Sequence, residues 1–353
     1  MHYWKFCVKI QSRVKQKSQS ELSERLYKKE KEIDFMTILD ENSSFGEWAE
    51  VWAKRKVIGR GYKYVTSTYN FVHHLESIST IPINKVRSMN VEDILIDLAK
   101  YNPKTKKPSS EKLLKNIRQT ATAIFTFAIN NCDNLYRNPA KTADIPANAT
   151  KKERTHISLD EQTLVIDTPH RARLSAMIML LCGLRAGELI ALEWKNIDFD
   201  NRVIHVCQST YNINSNKLGI KPKTKNGKSR NVTIPSILYQ QLYTEYLRKK
   251  GKTAFVSTKS DGRSMHTRSS FERMWQSYLK RLEISFTPHQ LRHTYATMLY
   301  MAGVDVKSAS ELLGHSSIEI TMKIYTHLTE ETKIISISKY NQFLDDNFGK
   351  NLQ

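Results

Sequence analysis

The chain has 353 residues, 40% of them hydrophobic, which is enough for two domains with buried cores. Lysine and arginine number 55 against 35 acidic residues, and the net charge of +20 favours a polyanionic partner, with nucleic acid as the first candidate. The four cysteines form no C-x-x-C pair, no apolar run approaches the roughly 18 residues of a membrane span, and no apolar signal core stands at the N-terminus. These features argue against a zinc site, a disulfide framework, a membrane partner and secretion, and they predict a cytoplasmic protein.

Residues 1–40 are polar and dense in charge. Within them, Ser20–Ile33 predicts an exposed helix with Ser20 as its N-cap. Because no strong apolar face runs through this helix, we interpret the segment as an appendage. It is either a linker or contact helix, or part of a further DNA-binding module.

Residues 41–147 predict a small helical domain. Apolar residues recur there at helical spacing, which indicates buried stripes. Four or five helices are expected, among them Phe45–Val57, Ser67–Ile78, Val91–Tyr101 and Glu111–Asn130. The segment Asn138–Arg154 is rich in Pro, Ala, Asn and Lys without an apolar period, so we expect an interdomain linker there.

Residues 152–353 predict a mixed domain of helices with a small antiparallel sheet. Helices are expected at Leu159–Thr168, Ala172–Leu181 and Ala186–Trp194, and strands at Arg202–Gln208 and Ser229–Ile234. Between the strands, Asn226–Gly227 is a typical hairpin signal. Helical patterns resume after Pro235 and include a tail at Leu328–Phe348. The predicted fold class is mainly α with a small antiparallel β-sheet.

Two segments place cations at exposed corners. In GLRAGEL, an apolar helix ends at Gly183 and Arg185 stands where the next helix begins, with Glu188 one turn on to orient it. In TKNGKSR, Lys225 precedes a tight turn, and Lys223 is a rival for the same position. An ammonium at such a tip can protonate a leaving oxygen. Taken alone, the first segment is weak evidence, because an ordinary surface Arg–Glu pair explains it, and a plain charged hairpin tip is the favoured interpretation of the second.

The segment TPHQLRHT predicts a well-capped helix start. Thr287 fits the N-cap, Pro288 the first helical position, and Gln290 completes a capping box. His289 then falls in the first turn, where the helix dipole favours an anion, and Arg292 follows on the same face. Imidazole, guanidinium and dipole at one helix end favour phosphate binding.

Two further segments supply a histidine and a tyrosine. In LLGHSS, Gly314 is expected to end a helix and to leave His315 at the corner. In IYTH, Tyr325 follows ten residues later. A tyrosine hydroxyl, whose ordinary pKa is about 10, attacks phosphorus only where a cationic pocket stabilises the phenolate.

In this order, R…K…H-x-x-R…H…Y resembles the tyrosine recombinase (phage integrase) family. The matching stretches are GLRAGEL (Gly183–Leu189), TKNGKSR (Thr224–Arg230), HQLRHT (His289–Thr294), LLGHSS (Leu312–Ser317) and IYTH (Ile324–His327). The layout extends over roughly residues 45–345, and its specific part is 155–330. The pattern is most similar to integrases of temperate phages and integrative conjugative elements.

The resemblance implies an enzyme that clamps DNA between the helical core-binding domain at 41–147 and the catalytic domain at 152–353. Segment 1–40 would be a linker helix or a partial module for arm-type DNA sites. The implied catalytic residues are Arg185, Lys225, His289, Arg292, His315 and Tyr325. Tyr325 would attack the scissile phosphodiester and form a 3′-phosphotyrosine link, without a metal ion, nucleotide or other cofactor.

The implied partners are double-stranded attachment sites and three further copies of the chain, which together form a homotetramer on paired sites in the nucleoid. A directionality factor or a host DNA-bending protein would complete the assembly. Two alternatives remain: a non-catalytic DNA-binding regulator on the same fold, and a resolvase-like or topoisomerase-like enzyme with the same chemistry. The target sequence and the balance between integration and excision stay open.

Overall fold

The computed structural model describes three stretches of the chain, residues 39–147, 156–222 and 229–326. These residues form two compact units, of which the first contains 39–147 and the second nearly all of the remainder. Five predicted features lie outside the described residues: the helix at 20–33, the tail helix at 328–348, the turn at Asn226–Gly227, Lys223 and Lys225.

Helices build the described part of the first unit: α1 Phe45–Val57, α2 Tyr62–His73, α3 Ser88–Lys100 and α4 Glu111–Ile129. Helix α1 begins with a capping box in which Ser44 and Glu47 satisfy each other's backbone N–H groups. The apolar faces of α1 and α4 meet in the core, where the ring centroids of Phe45 and Phe125 are 5.2 Å apart.

One helix of the first unit differs from its prediction. The spacing predicts a single helix at Ser67–Ile78, whereas α2 ends at His73 and a separate 3₁₀ turn covers Glu76–Ile78. Leu75 and Ile78 are both buried, so the apolar residues beyond His73 still face the core although the α-helix has ended. Apolar spacing therefore locates the core side chains here but not the end of the helix.

Helices and short strands build the described part of the second unit. Its helices are α5 Leu159–Asp167, α6 Arg173–Cys182, α7 Ala186–Ala191, α8 Ser236–Lys249, α9 Arg268–Leu282, α10 Pro288–Met301, α11 Val306–Leu313 and α12 Ile318–Thr326. Its strands are β1 Ile197–Asp198, β2 Val203–Val206, β3 Ser209–Asn212, β4 Leu218–Lys221 and β5 Arg230–Thr233. This content confirms a mainly α fold with small sheets.

The strands form two sheets. One has the order β1-β2-β5 with antiparallel pairing, and the other consists of β3 and β4. In the first sheet Ile204 lies opposite Val232, and both are fully buried, while Arg230 lies opposite Val206. Strands β4 and β5, which stand on either side of Asn226–Gly227, belong to different sheets.

The core of the second unit positions the ends of α6 and α10. Helix α6 is almost entirely buried and ends at Gly183, which has φ +64. A Cβ at Gly183 would lie 2.2 Å from Cδ1 of Tyr295, so only glycine allows α10 to pack this closely. Helix α10 begins with the predicted capping box of Thr287 and Gln290.

Helix α7 is shorter than expected. The sequence predicts a helix at Ala186–Trp194, but α7 ends at Ala191 and a 3₁₀ turn follows at Trp194–Asn196. The backbone of Trp194 instead donates to Ala254, and Val256 donates to Leu192, so tertiary pairing replaces the last helical turn. Among the described residues, no helix has the length and apolar character needed to cross a membrane.

Candidate active site

Three arginines meet at the C-terminal end of α11. Each of three successive carbonyls there accepts a hydrogen bond from a different guanidinium: Leu312 from Arg230 at 2.7 Å, Leu313 from Arg292, and Gly314 from Arg185 at 2.9 Å. The last carbonyls of a helix lack intrahelical partners and carry the negative end of its dipole, so they stabilise cations. We call Arg185, Arg230 and Arg292 the arginine cluster.

A buried carboxylate joins two members of the arginine cluster. Glu188 accepts from the guanidinium of Arg185 at 2.8 Å and from that of Arg230 at 2.8 and 3.2 Å. Its side chain is 0% exposed, and burial alone would raise its pKa. The hydrogen bond and charge of Arg230, followed by those of Arg185, instead lower the pKa of Glu188 to about 2. The predicted contact between Arg185 and Glu188 is confirmed.

Arg292 is the most deeply buried member of the arginine cluster, with only 2% of its surface exposed. Besides the carbonyl of Leu313, it donates to the carbonyl of Gly183 at 2.6 Å. Burial, followed by the positive charge of Arg185, lowers the pKa of Arg292 to about 9. The guanidinium therefore stays charged at neutral pH, held between the end of α6 and the end of α11.

His315 directly follows the three residues whose carbonyls bind the arginine cluster. Gly314 has φ +59 and ends α11, which turns the chain so that Nδ1 of His315 lies 2.8 Å from the hydroxyl of Thr321. Burial, then the charges of the arginine cluster and of His289, lower the pKa of His315 to about 4. The imidazole is thus neutral at pH 7 and retains a nitrogen for a hydrogen bond to a phosphate.

Tyr325 has different surroundings. Its hydroxyl donates to the carbonyl of Val304 at 3.3 Å, and its ring centroid lies 4.5 Å from that of Tyr300. Burial, followed by Asp305 and Tyr300, raises the pKa of Tyr325 to about 12. A phenol in this setting is a weak nucleophile, because nothing that shifts its pKa stabilises the phenolate.

Tyr295 links the two sets of groups. Burial raises the pKa of Tyr295 to about 12, and Arg230, Arg292 and Tyr325 also act on it. The pKa of Tyr295 is thus affected both by two arginines and by the candidate nucleophile. The hydroxyl of Tyr325 itself donates to the carbonyl of Val304.

Five of the six predicted catalytic residues lie within the described residues: Arg185, His289, Arg292, His315 and Tyr325. The structure places Arg185, Arg292 and His315 around the end of α11, His289 in the first turn of α10 and Tyr325 on α12. The sequence reasoning overlooked Arg230. A signal was present, since Arg230 is two residues before the buried Val232 and hence shares the inward face of β5.

The described residues have the chemistry of a phosphate site. Arg185 uses two of its five N–H groups on Glu188 and Gly314, so three remain within the described chain to meet phosphate oxygens. Its side chain is 21% exposed, against 7% for Arg230. No group of three His, Cys, Asp or Glu residues capable of holding a metal ion occurs in the described ranges.

Comparison with known proteins identifies the family to which the chain is similar. The model of the phage integrase family matches residues 159–332. The chain is 29% identical to a tyrosine recombinase XerC-like protein of Caldanaerobacter subterraneus subsp. tengcongensis, over 79% of this chain and 76% of that protein. It is 25% identical to the integrase of Staphylococcus phage L54a, over 92% of this chain and 94% of that protein.

Among solved structures, the Tn1549 transposon integrase in complex with a circular intermediate DNA has the same fold. The TM-score is 0.68 at 22% identity, over 84% of this chain and 99% of that one. The chain belongs to the phage integrase family of tyrosine recombinases. It is a site-specific recombinase, an enzyme that cleaves and religates DNA.

Proposed function

We propose that Tyr325 is the nucleophile and that Arg185 and Arg292 of the arginine cluster receive the scissile phosphate. The phenolate oxygen attacks phosphorus, the bond from phosphorus to the 5′-oxygen breaks, and a 3′-phosphotyrosine link forms. Lys225, or Lys223 in its place, gives a proton to the departing 5′-oxygen. His289 takes the proton of the phenol or holds the phosphate.

The observation that carries this proposal is the seating of three guanidiniums on three successive carbonyls next to His315. Donors fixed in this way need no reorganisation when charge develops on the phosphate oxygens. Arg185 and Arg292 neutralise that charge, and His315 adds a hydrogen bond. Each preorganised donor is expected to lower the barrier by about 3–4 kcal/mol.

The setting of Tyr325 adds a step before attack. Its hydroxyl donates to Val304, and burial raises its pKa, so the phenol must leave this carbonyl before it can meet a phosphate. We expect DNA binding to stabilise the conformation in which the phenol faces the arginine cluster. Such a shift requires only that DNA binds that conformation better than the one described here.

Integration and excision of a mobile element are the proposed outcome, supported by similarity to the phage L54a integrase over nearly the whole chain. Each chain supplies one tyrosine, and exchange between two duplexes requires four cleavages, so we propose a homotetramer on paired attachment sites. A net charge of +20 supports DNA affinity that falls steeply with salt, because bound cations release counterions from the duplex.

The test uses nicked duplexes taken from the DNA that flanks the gene. Wild-type protein is expected to form a denaturant-resistant adduct with this DNA, and Tyr325→Phe to form none. Tyr300→Phe is the matched control, because it removes a neighbouring tyrosine hydroxyl and should leave the adduct in place.

Three results would contradict the proposal. An adduct from Tyr325→Phe would mean that another residue attacks. Specific binding without an adduct from wild type would favour the non-catalytic regulator. Relaxation of supercoiled DNA without recombinant product on paired sites would favour the topoisomerase-like reading.

A further inference from the structure

We propose that Arg230 is a positioning residue for DNA cleavage, which orients Arg185 through Glu188 and balances the carboxylate charge. This inference rests on the proposed roles of Arg185 and Arg292. It concerns a residue outside the six that the sequence motifs indicate.

The hydrogen bonds of Arg230 are those of a support rather than of a phosphate ligand. Its Nε donates to Leu312 at 2.7 Å, and its two terminal nitrogens donate to Glu188 at 3.2 and 2.8 Å. Three of its five N–H groups are thus committed to protein acceptors. Its side chain is 7% exposed against 21% for Arg185, so Arg185 is the more accessible of the two arginines that bind Glu188.

Glu188 accepts from both arginines on both of its oxygens. Oε1 accepts from Arg185 at 2.8 Å and from Arg230 at 3.2 Å, while Oε2 accepts from the backbone N–H of Arg185 at 2.9 Å and from Arg230 at 2.8 Å. The planar guanidinium of Arg230 fixes both oxygens, as a fork matched to a carboxylate does. The plane of the carboxylate then sets where the guanidinium of Arg185 lies.

Charge balance gives Arg230 a second role. Glu188 has 0% of its side chain exposed, so its negative charge must be compensated inside the protein. With Arg230 as that partner, Arg185 and Arg292 retain two positive charges for the phosphate. Without Arg230, the carboxylate would draw Arg185 into a closed pair and halve the charge available to the substrate.

The chain allows this arrangement through a glycine. A Cβ at Gly314 would lie 3.0 Å from a terminal nitrogen of Arg230 and 3.1 Å from its Cδ. The absence of a side chain at Gly314 therefore lets Arg230 reach under the end of α11. The same residue presents its carbonyl to Arg185 at 2.9 Å, so one turn serves both arginines.

The experiment measures two quantities for each variant, the single-turnover rate of adduct formation on the nicked duplex and the Kd for the same DNA. Arg230→Met is expected to slow adduct formation about 100-fold, because a displacement of about 1 Å in a phosphate donor costs this much. The Kd should stay within about twofold, since many other cations hold the duplex backbone. Arg230→Lys keeps the charge without the fork and should recover about tenfold of the lost rate.

Arg248→Met is the matched control. Arg248 also pairs with a glutamate, at 2.7 Å to Glu245, but its side chain is 67% exposed and it makes no contact with the arginine cluster among the described residues. This variant should retain the wild-type rate and the wild-type Kd.

A wild-type cleavage rate in folded Arg230→Met would overturn the positioning role. If Arg230→Met fails to fold, as judged by circular dichroism, Arg230→Lys decides: a rate about tenfold below wild type at unchanged Kd supports the role, and a wild-type rate overturns it. A parallel loss of rate and DNA binding in folded Arg230→Lys would also overturn it, because that pattern indicates a phosphate contact or general disruption. Absence of an adduct from wild-type protein would instead refute the proposed function itself.

Discussion

The arginine cluster and the neighbourhood of Tyr325 differ in what holds the reactive groups. Each guanidinium of the arginine cluster donates to a carbonyl at the end of α11, whereas the phenol of Tyr325 donates to Val304 over 3.3 Å and packs against Tyr300. On the proposed mechanism, phosphate binding requires no rearrangement of the arginines, whereas attack requires the tyrosine to move. The two halves of the site should consequently respond differently to substitution.

The largest effect is expected from the buried arginine. Arg292→Lys removes the fork that joins Gly183 and Leu313, so we expect the adduct rate to fall by about 10²–10³-fold. Arg173→Lys is the control, because Arg173 also donates to a backbone carbonyl, that of Ile166, at a distance from this site along the chain. If the two variants react at equal rates on the nicked duplex, Arg292 does not bind the phosphate.

A smaller effect, on stability, is expected at the turn that ends α11. Gly314→Ala places a methyl group 3.0 Å from Arg230 at a left-handed φ of +59, so we expect unfolding to become easier by about 2–4 kcal/mol. Gly251→Ala is the control, since Gly251 has φ +74 but no atom within 4 Å of the added carbon. Its loss should be about 1–2 kcal/mol, from the backbone alone. If urea unfolding gives equal losses of stability for the two variants, Arg230 can move away from the added methyl group without a loss of stability.

The tyrosine side of the comparison predicts a gain. Tyr300→Leu removes the ring that packs at 4.5 Å on Tyr325 and so weakens the conformation in which the phenol is held away from the cations. An aromatic pair contributes about 0.5–1.5 kcal/mol, which corresponds to an adduct rate about two to ten times higher. A slower reaction on the nicked duplex would show that the described position of Tyr325 is already the reactive one.

The smallest effect concerns pH. The pKa of His315 is lowered from 6.5 to about 4 in the folded protein, so below pH 6.5 the unfolded chain binds a proton that the folded chain does not. The free energy of unfolding is therefore unaffected by this group above about pH 6.5 and decreases as the pH falls from there toward 4. We expect a loss of at most about 1 kcal/mol between pH 7 and 5, after allowance for solvent screening.

The matched measurement for this prediction is the Tm of wild type and of His315→Asn at both pH values. His266, whose pKa is also lowered to about 4 by burial, contributes equally to both proteins. The variant should show the shallower decline. Parallel declines would mean that His315 is accessible to protons in the folded protein.

Local chemistry in the sequence predicts some parts of this site well. The capping box of Thr287 and Gln290 and the glycine that ends α11 are confirmed, because both depend on residues within four positions of each other. The contact of Arg185 with Glu188 is confirmed for the same reason. The assignment of catalytic roles stays a prediction, since it depends on chemistry with DNA.

Other parts could not be predicted from spacing. Arg230 is 42 residues from Glu188 and 82 residues from Leu312 in the chain, so no local sequence pattern predicts these contacts. The two predicted strands do pair, as β2 and β5, but the sheet of β3 and β4 between them in the chain is a similar case, because a hairpin signal describes a turn and not the strands that lie beside it. The early end of α7 has the same origin, in pairing with a distant segment.

The sequence by itself determined the family, the mainly α fold and the order of the residues that the chemistry requires, since these follow from motifs and apolar spacing. Only the tertiary structure decided how those residues are held. Arg185 at the start of α7, Arg230 on β5 and Arg292 on α10 bring three guanidiniums to the end of α11, where unpaired carbonyls and the helix dipole stabilise them. The tertiary structure also leaves the phenol of Tyr325 bound to Val304, because burial there favours the neutral hydroxyl.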